Sequence, residues 1–410
     1  MIKLYRYTFA VVDLPRLASN VATIRDALGP DVAVLVAAKA NGYGHGAVPV
    51  ARAVVHGGAE ALGLASVEEA LEIRRAKSPL SLLVLGAINA DGAVAASMAD
   101  IAVTLSGSPE EIENLPTMPK PLVVHLKLDT GMGRLGLRTA EELIATAKAV
   151  VARPDLRLVG VYTHLASADD PDGRHAQGQI ARFEHALASL TEAGIQVPIV
   201  HASNTAGALY HSDWRYQMVR IGIGAYGYSP NSEWPLQLPL RPVMHLYSVI
   251  TRVATLDAGE TVSYGATFVA PRRMRVATVP IGYADGYFRS LSNSGITAVK
   301  GVEVPVVGRV CMDQLMIDVT DVEGVEVGDV VTLFGRYSPS SWDGGNIAKC
   351  KEAQRAEWIV QTFCRTDRIG EVSLDRVAKL AGTISYELLC AVSPRVVRFY
   401  VPLTPERRFS

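Results

Sequence analysis

The chain carries almost no net charge: 40 basic residues stand against 41 acidic ones, a formal charge of −1 over 410 residues. That balance removes the electrostatic case for nucleic acid or an anionic membrane surface as a partner. No apolar run approaches the roughly 20 residues that a membrane span needs. The opening MIKLYRYTFAVVDLPRL is interrupted by Asp13 and lacks a small-residue cleavage pattern, so it does not read as a signal peptide. Cysteine is scarce. Cys311, Cys350, Cys364 and Cys390 all fall in the last quarter, with no C-x-x-C and no histidine at metal-ligand spacing. No metal site is expected, and reduced thiols in a cytoplasmic protein are the simplest reading.

What is present is enough chain for two domains. In VLVAAKANGYGHG (34–46) an apolar run meets Lys39 and then a glycine cluster. Such a run reads as a strand buried on both faces, with the glycines marking its end. A lysine there can have its pKa lowered by burial and become nucleophilic. Alone, it reads more simply as a strand-end lysine snorkelling to water.

After a helical stretch from Leu14 to Leu28, strand-like runs appear at 32–39, 61–66, 80–86, 101–106, 122–129, 156–165, 197–202 and 218–223. Stretches with helical spacing, such as VEEALEIRRA and ARFEHALASLTEAG, lie between most of them. Eight such alternations predict a closed parallel (β/α)8 barrel, whose chemistry should collect at the carboxyl ends of the strands. The unusual polar residues fall there: Lys39, then Lys127, Asp129 and Arg134, then His164, Ser203 with Asn204, and Arg220 with Gly222. Each has a structural alternative; His164 could be a satisfied core histidine, and Arg220 could bridge a buried carboxylate.

Gly222, Gly224 and Gly227 spell G-x-G-x-x-G, but YSPNSEWPLQLPLRP follows, and its four prolines exclude the helix that a dinucleotide fingerprint needs. Glycines in the loops after the seventh and eighth strands suit backbone contact with a phosphate instead. The proline-rich stretch divides a barrel domain, 1–235, from a mostly-β domain, 236–410, whose short β-branched runs alternate with glycine or acidic turns. Within it, Tyr264, Met312 and Asp313 read on spacing alone as packing and turn residues. Residues 336–370 read as an insertion containing a surface helix, with Ala356, Ile359, Val360 and Phe363 on one side.

Nearly the whole chain resembles the alanine racemase family, whose members bind pyridoxal 5'-phosphate (PLP) and join a barrel to a β domain. The motifs VAAKANGYGHG, HLKLDTGMGRLG, VYTHLASAD, SNTAG, RIGIGAYG, VSYGATF, IGYADGY, GRVCMDQLMIDVT and GTISYE follow in that family's order. The resemblance implies that Lys39 holds PLP as a Schiff base and shares acid–base duty with Tyr264 on the opposite face. It further implies Arg220 at the pyridine nitrogen beside His164, and Arg134 near the phenolic oxygen and the substrate carboxylate. Tyr43, Ser203, Gly222, Ile223 and Tyr386 match phosphate contacts. Met312, with Asp313 beside it, matches the substrate-carboxylate contact, and Tyr283 an entrance residue. The lysine matching Lys127 can be carbamylated. The implied enzyme interconverts L- and D-alanine for peptidoglycan as a homodimer with shared active sites. The alternatives are a broader serine/alanine racemase, a PLP amino-acid decarboxylase and a non-catalytic PLP-binding barrel.

Overall fold

The computed structural model describes residues 5–338, Ile347, 352–365 and 370–403. Two compact units divide the chain: Arg16–Arg241, and Met1–Pro15 together with Pro242–Ser410. The division therefore differs from 1–235 and 236–410 at both ends. The first strand, β1 (Phe9–Asp13), leaves the barrel altogether. It is buried along its length and is flanked on both edges by strands of the second unit. An apolar run reports that a strand is buried, not which sheet buries it.

Within Arg16–Arg241 the eight barrel strands are β2 (Ala33–Ala37), β3 (Ala61–Leu64), β4 (Ser81–Val84), β5 (Ala102–Leu105), β6 (Leu122–Lys127), β7 (Leu156–Tyr162), β8 (Ile199–His201) and β9 (Met218–Ile221). They form one sheet in the order β8-β7-β6-β5-β4-β3-β2-β9, and all its ladders are parallel. This is the barrel the strand count predicts. Both faces of each strand are covered, which is why Val34, Leu35, Val36, Leu62, Leu64, Val124, Leu126 and Val161 are fully buried. Leu35, Ala61, Leu83 and Met218, from four different strands, meet in one cluster. β8 and β9 share no ladder. Their seam is bridged by Arg220, whose N–H donates to the Ser203 carbonyl at 2.9 Å. The outer helices begin at side-chain caps: Ser66, Asn89, Ser108 and Thr139 each accept the N–H three residues on. Each cap contributes about 1 kcal/mol.

In the second unit, β1 lies between β10 (Met244–Val249), antiparallel with Phe9 opposite Tyr247, and Val397–Val401, parallel with Phe9 opposite Val397. The same sheet continues through Val330–Arg336, Ile296–Val299 and Val302–Pro305, and a separate three-stranded sheet joins Arg252–Leu256, Met274–Val279 and Leu315–Asp318. The helix of the insertion, Glu352–Arg365, is not a free surface element. Its Ile359 and Phe363 are buried against Phe9, Val11, Tyr247 and Phe399. The periodicity correctly gave its apolar face, and that face covers the unit's own sheet. The insertion's Ser/Pro/Gly opening lies largely outside the described residues. Among the described residues, no helix is long and apolar enough to cross a membrane, and no group of three or more His, Cys, Asp or Glu could hold a metal ion.

Candidate active site

β2 stops at Ala37, two residues before Lys39, and the chain then turns the wrong way. Ala40, Asn41, Gly42 and Tyr43 all have positive φ, from 52° to 62°. A left-handed turn costs a non-glycine residue roughly 1–2 kcal/mol, so it persists only where its surroundings fix it. The Ala40 N–H donates to Glu69 Oε1, the Ala47 N–H to Asn41 Oδ1, and the Gly42 N–H to the Ala38 carbonyl, all at 2.8 Å. Gly42 is required twice over, since a Cβ there would lie 2.8 Å from Val50 Cγ2. The turn delivers the Tyr43 ring onto Tyr226, centroids 4.7 Å apart, and the Tyr226 hydroxyl donates back to the Ala37 carbonyl at 2.9 Å. Lys39 thus sits on a held turn at the carboxyl end of β2.

Arg220, on β9, is buried. Its guanidinium donates to the carbonyls of Thr163 (2.7 Å), Ala202 (2.8 Å) and His201 (3.2 Å), and contacts Nδ1 of His201 (2.8 Å) and of His164 (3.2 Å). Among the described residues no carboxylate bonds it, so the bridge to a buried carboxylate that its sequence position allowed is not formed there. Burial lowers its pKa to about 10, still cationic at neutral pH. A guanidinium only donates, so His201 Nδ1 accepts and that ring carries its proton on Nε2. His201 Nε2 then donates to His125 Nδ1 at 3.0 Å. Burial, reinforced by Arg220, holds His125 down to about 4 and depresses His164 and His201 as well, so all three imidazoles are neutral.

Lys127, the last residue of β6, is buried. Its pKa falls to about 8, through burial first and then through Arg134, Arg220 and Lys39, partly offset by Asp129. Tyr162 accommodates the crowded cations, with its ring centroid 5.6 Å from Lys127 Nζ and 5.0 Å from Arg220 Cζ. Asp129 builds the loop that carries Arg134. Its Oδ1 accepts the N–H groups of Gly131, Met132 and Gly133 at 2.8–3.0 Å, and its Oδ2 that of Arg134 at 2.9 Å. Burial raises the Asp129 pKa, but these backbone donors outweigh it and hold the carboxyl below its ordinary value.

The remaining barrel residues gather at the ends of β8 and β9. Gly222 gives its N–H to Thr205 Oγ1 at 2.9 Å, and a Cβ at Gly222 would lie 2.9 Å from the Tyr43 hydroxyl. The glycine therefore lets the Tyr43 hydroxyl approach its backbone closely. Ile223 is fully buried beside it. The Ser203 hydroxyl is buried and donates to the Trp214 carbonyl at 2.7 Å. A barrel end bearing Lys39, Lys127, Arg134 and Arg220, with a tyrosine hydroxyl against a glycine backbone, suits an anionic ligand that carries a phosphate.

The other sequence-predicted residues lie in the second unit. Tyr264 is 72% exposed, Met312 52% and Tyr283 40%. Tyr264 opens a short turn after Ser263, whose hydroxyl donates to the Arg309 carbonyl at 2.7 Å. Tyr283 and Met312 lie on adjoining turns: the N–H of Tyr283 donates to the Cys311 carbonyl and that of Ala284 to the Met312 carbonyl, both at 3.0 Å. Asp313 accepts from Arg395 at 2.6 Å. Tyr386 is half-buried in the helix Ser385–Ala391. Lys39, Lys127, Arg134, His164 and Arg220 form one electrostatic group, and Tyr283, Met312 and Asp313 another cluster.

Sequence reasoning passed over His125, His201, Thr205, Tyr226 and Glu69. The two histidines had a signal, since each stands in an apolar strand just before a quoted motif residue. Glu69 had none, because its role depends on a turn that the sequence did not specify.

Comparison with known proteins fits this geometry. Residues 12–230 match the family model "Alanine racemase, N-terminal domain" and residues 243–369 "Alanine racemase, C-terminal domain". An alanine racemase of Symbiobacterium thermophilum is 40% identical over 96% of this chain and 97% of its own. Alanine racemase 2 of Bacillus subtilis is 36% identical over 98% and 96%. The crystal structure of alanine racemase from Bacillus anthracis with bound L-Ala-P superposes with a TM-score of 0.86, at 33% identity, over 98% of this chain and 96% of that one. Matched in both halves and along nearly its whole length, the chain belongs to the alanine racemase family.

Proposed function

We propose that this protein interconverts L- and D-alanine with PLP as cofactor, supplying D-alanine for peptidoglycan in the cytoplasm, and that it does so as a homodimer. The observation that carries the reading is the Arg220 environment. A buried guanidinium held by carbonyls and neutral imidazoles offers a pyridine nitrogen a hydrogen bond without a proton to transfer.

The barrel end fits the cofactor in charge: a phosphate and a phenolic oxygen suit an end that carries Lys39, Arg134 and Arg220, with the Tyr43 hydroxyl close against the Gly222 backbone. When bound, PLP supplies an electron sink for the pair left at the α-carbon. Lys39 would anchor it, Arg134 would face its phenolic oxygen, and Tyr43, Ser203, Gly222, Ile223 and Tyr386 would hold the phosphate. For Ser203 to donate there, its hydroxyl must give up the Trp214 carbonyl. Arg220 would donate a hydrogen bond to the ring nitrogen without protonating it, which favours racemisation over transamination. Lys39 moves the proton on one face and Tyr264 on the other, as inversion requires. Arg134 and the Met312 N–H bind the substrate carboxylate. The exposed Tyr264, Tyr283 and Met312 form the kind of surface that a partner covers, which supports a site shared between two chains. A decarboxylase would call for a carboxylate at the pyridine nitrogen, where this reading places Arg220.

Incubating the PLP-loaded protein with L-alanine in heavy water should give equal D- and L-alanine, both deuterated at the α-carbon. Released carbon dioxide without D-alanine would overturn the reading.

A further inference from the structure

Asp285 is a fully buried carboxylate that the mechanism above does not use. It lies in the turn that starts with Tyr283 and accepts the Gly282 N–H at 3.0 Å. Two arginines from distant parts of the chain close on it. Arg6 donates through both terminal nitrogens, and Arg395 donates its Nε to Oδ1 at 2.7 Å. Burial alone would raise the Asp285 pKa, but the two guanidiniums outweigh it and keep the carboxylate ionised. Arg395 does not stop there. Its NH2 reaches Asp313 Oδ1 at 2.6 Å, so a single guanidinium ties the 283–285 turn to the residue next to Met312. The backbone repeats the link, with the Tyr283 and Ala284 N–H groups on the Cys311 and Met312 carbonyls. Gly282 makes room for it, since a Cβ there would lie 2.2 Å from the Cys311 carbonyl oxygen.

We infer that Arg395 is a positioning residue for substrate binding, clamping Asp285 and Asp313 so that the Tyr283 and Met312 turns keep one fixed relation. The inference rests on the racemase reading above and revises one assignment within it. Asp313 does not contact substrate. A carboxylate turned toward a substrate carboxylate would repel it, whereas one committed to Arg395 orients the neighbouring Met312 N–H. Arginine suits the task because its planar fork serves two carboxylates at once; the point charge of lysine does not.

The test uses the PLP-loaded full chain and compares Arg395→Met, Arg395→Lys and Asp313→Asn. A surface pair in the same unit, Arg376 with Glu303, provides the control variant Arg376→Met. The expected result for Arg395→Met is a KM for L-alanine raised about tenfold, the equivalent of one lost hydrogen bond, with kcat within about twofold. The dissociation constant for propionate, measured by calorimetry on the loaded enzyme, should rise by the same factor. Arg395→Lys should fall between, and Arg395→Met combined with Asp313→Asn should be no worse than either alone, as coupled residues are. Cofactor absorbance and the Arg376→Met constants should match the wild type. If Arg395→Met lowers the melting temperature while KM and propionate affinity stay unchanged, Arg395 is merely structural and the inference fails while the racemase reading stands. A wild-type protein that does not racemise alanine overturns both.

Discussion

Tyr264 and Lys127 are the residues whose chemistry can be isolated most cleanly. Tyr264 stands on an exposed turn of the second unit and is bonded into no core, so Tyr264→Phe should leave the fold intact. In the proposed mechanism it should lower L-to-D turnover by about 10²- to 10⁴-fold, the usual worth of one acid–base group. Visible absorbance of the bound cofactor should persist, and its loss would assign Tyr264 to structure. Lys127 carries a pKa of about 8 because burial and its cationic neighbours disfavour its ammonium form. Only the neutral amine attacks carbon dioxide, and its share grows as pH rises through 8. A ¹³C-carbonyl adduct formed from labelled bicarbonate should therefore be weak at pH 6.5 and strong at pH 8.5, and should vanish in Lys127→Met. A signal that falls over that range would contradict the carbamylation proposed for Lys127.

At the scale of elements, the helix Glu352–Arg365 offers the sharpest energetic prediction. Phe363 is buried against the sheet that holds β1 and β10, and it packs on the His245 ring at 5.1 Å. Phe363→Ala should destabilise the second unit by about 3–5 kcal/mol, read from chemical denaturation, with little effect on cofactor absorbance from the barrel. A change within 0.5 kcal/mol would mean that the helix covers nothing. This helix also shows where the sequence stopped being legible. Its apolar face could be counted from Ile359 and Phe363, but no periodicity says which sheet that face will meet. The same limit hid β1, which is as apolar as any barrel strand and pairs elsewhere. The eight barrel strands were legible because alternation with helices leaves few other ways to bury so many two-sided strands. The turn after Lys39 was only half legible. Its glycines announced a break, whereas the left-handed Ala40, Asn41 and Tyr43 depend on Glu69 and Tyr226, contacts made by the folded barrel.

For the whole molecule, the proposed chemistry is divided between two units: Lys39, Arg220 and the phosphate contacts Tyr43, Ser203, Gly222 and Ile223 belong to the barrel, and Tyr264, Tyr283, Met312 and Tyr386 to the β-rich unit. The barrel candidates could be found in the sequence because they fall together at strand ends, whereas Tyr264, Met312 and Asp313 read on spacing alone as packing and turn residues and stood out only through the family resemblance. The link among Arg395, Asp285 and Asp313 could not be read there, because they are separated by up to 110 residues, and only the fold brings them together. If each active site draws Lys39 from one chain and Tyr264 from the other, two inactive variants must complement. Lys39→Ala and Tyr264→Phe dimers, dissociated and reassembled together, would give mixed dimers in which one site has lost both residues and the other is intact. With random pairing, racemase activity should return to about a quarter of the wild-type value. Mixed dimers that form, as mass spectrometry would verify, yet stay inactive would contradict the shared two-base site.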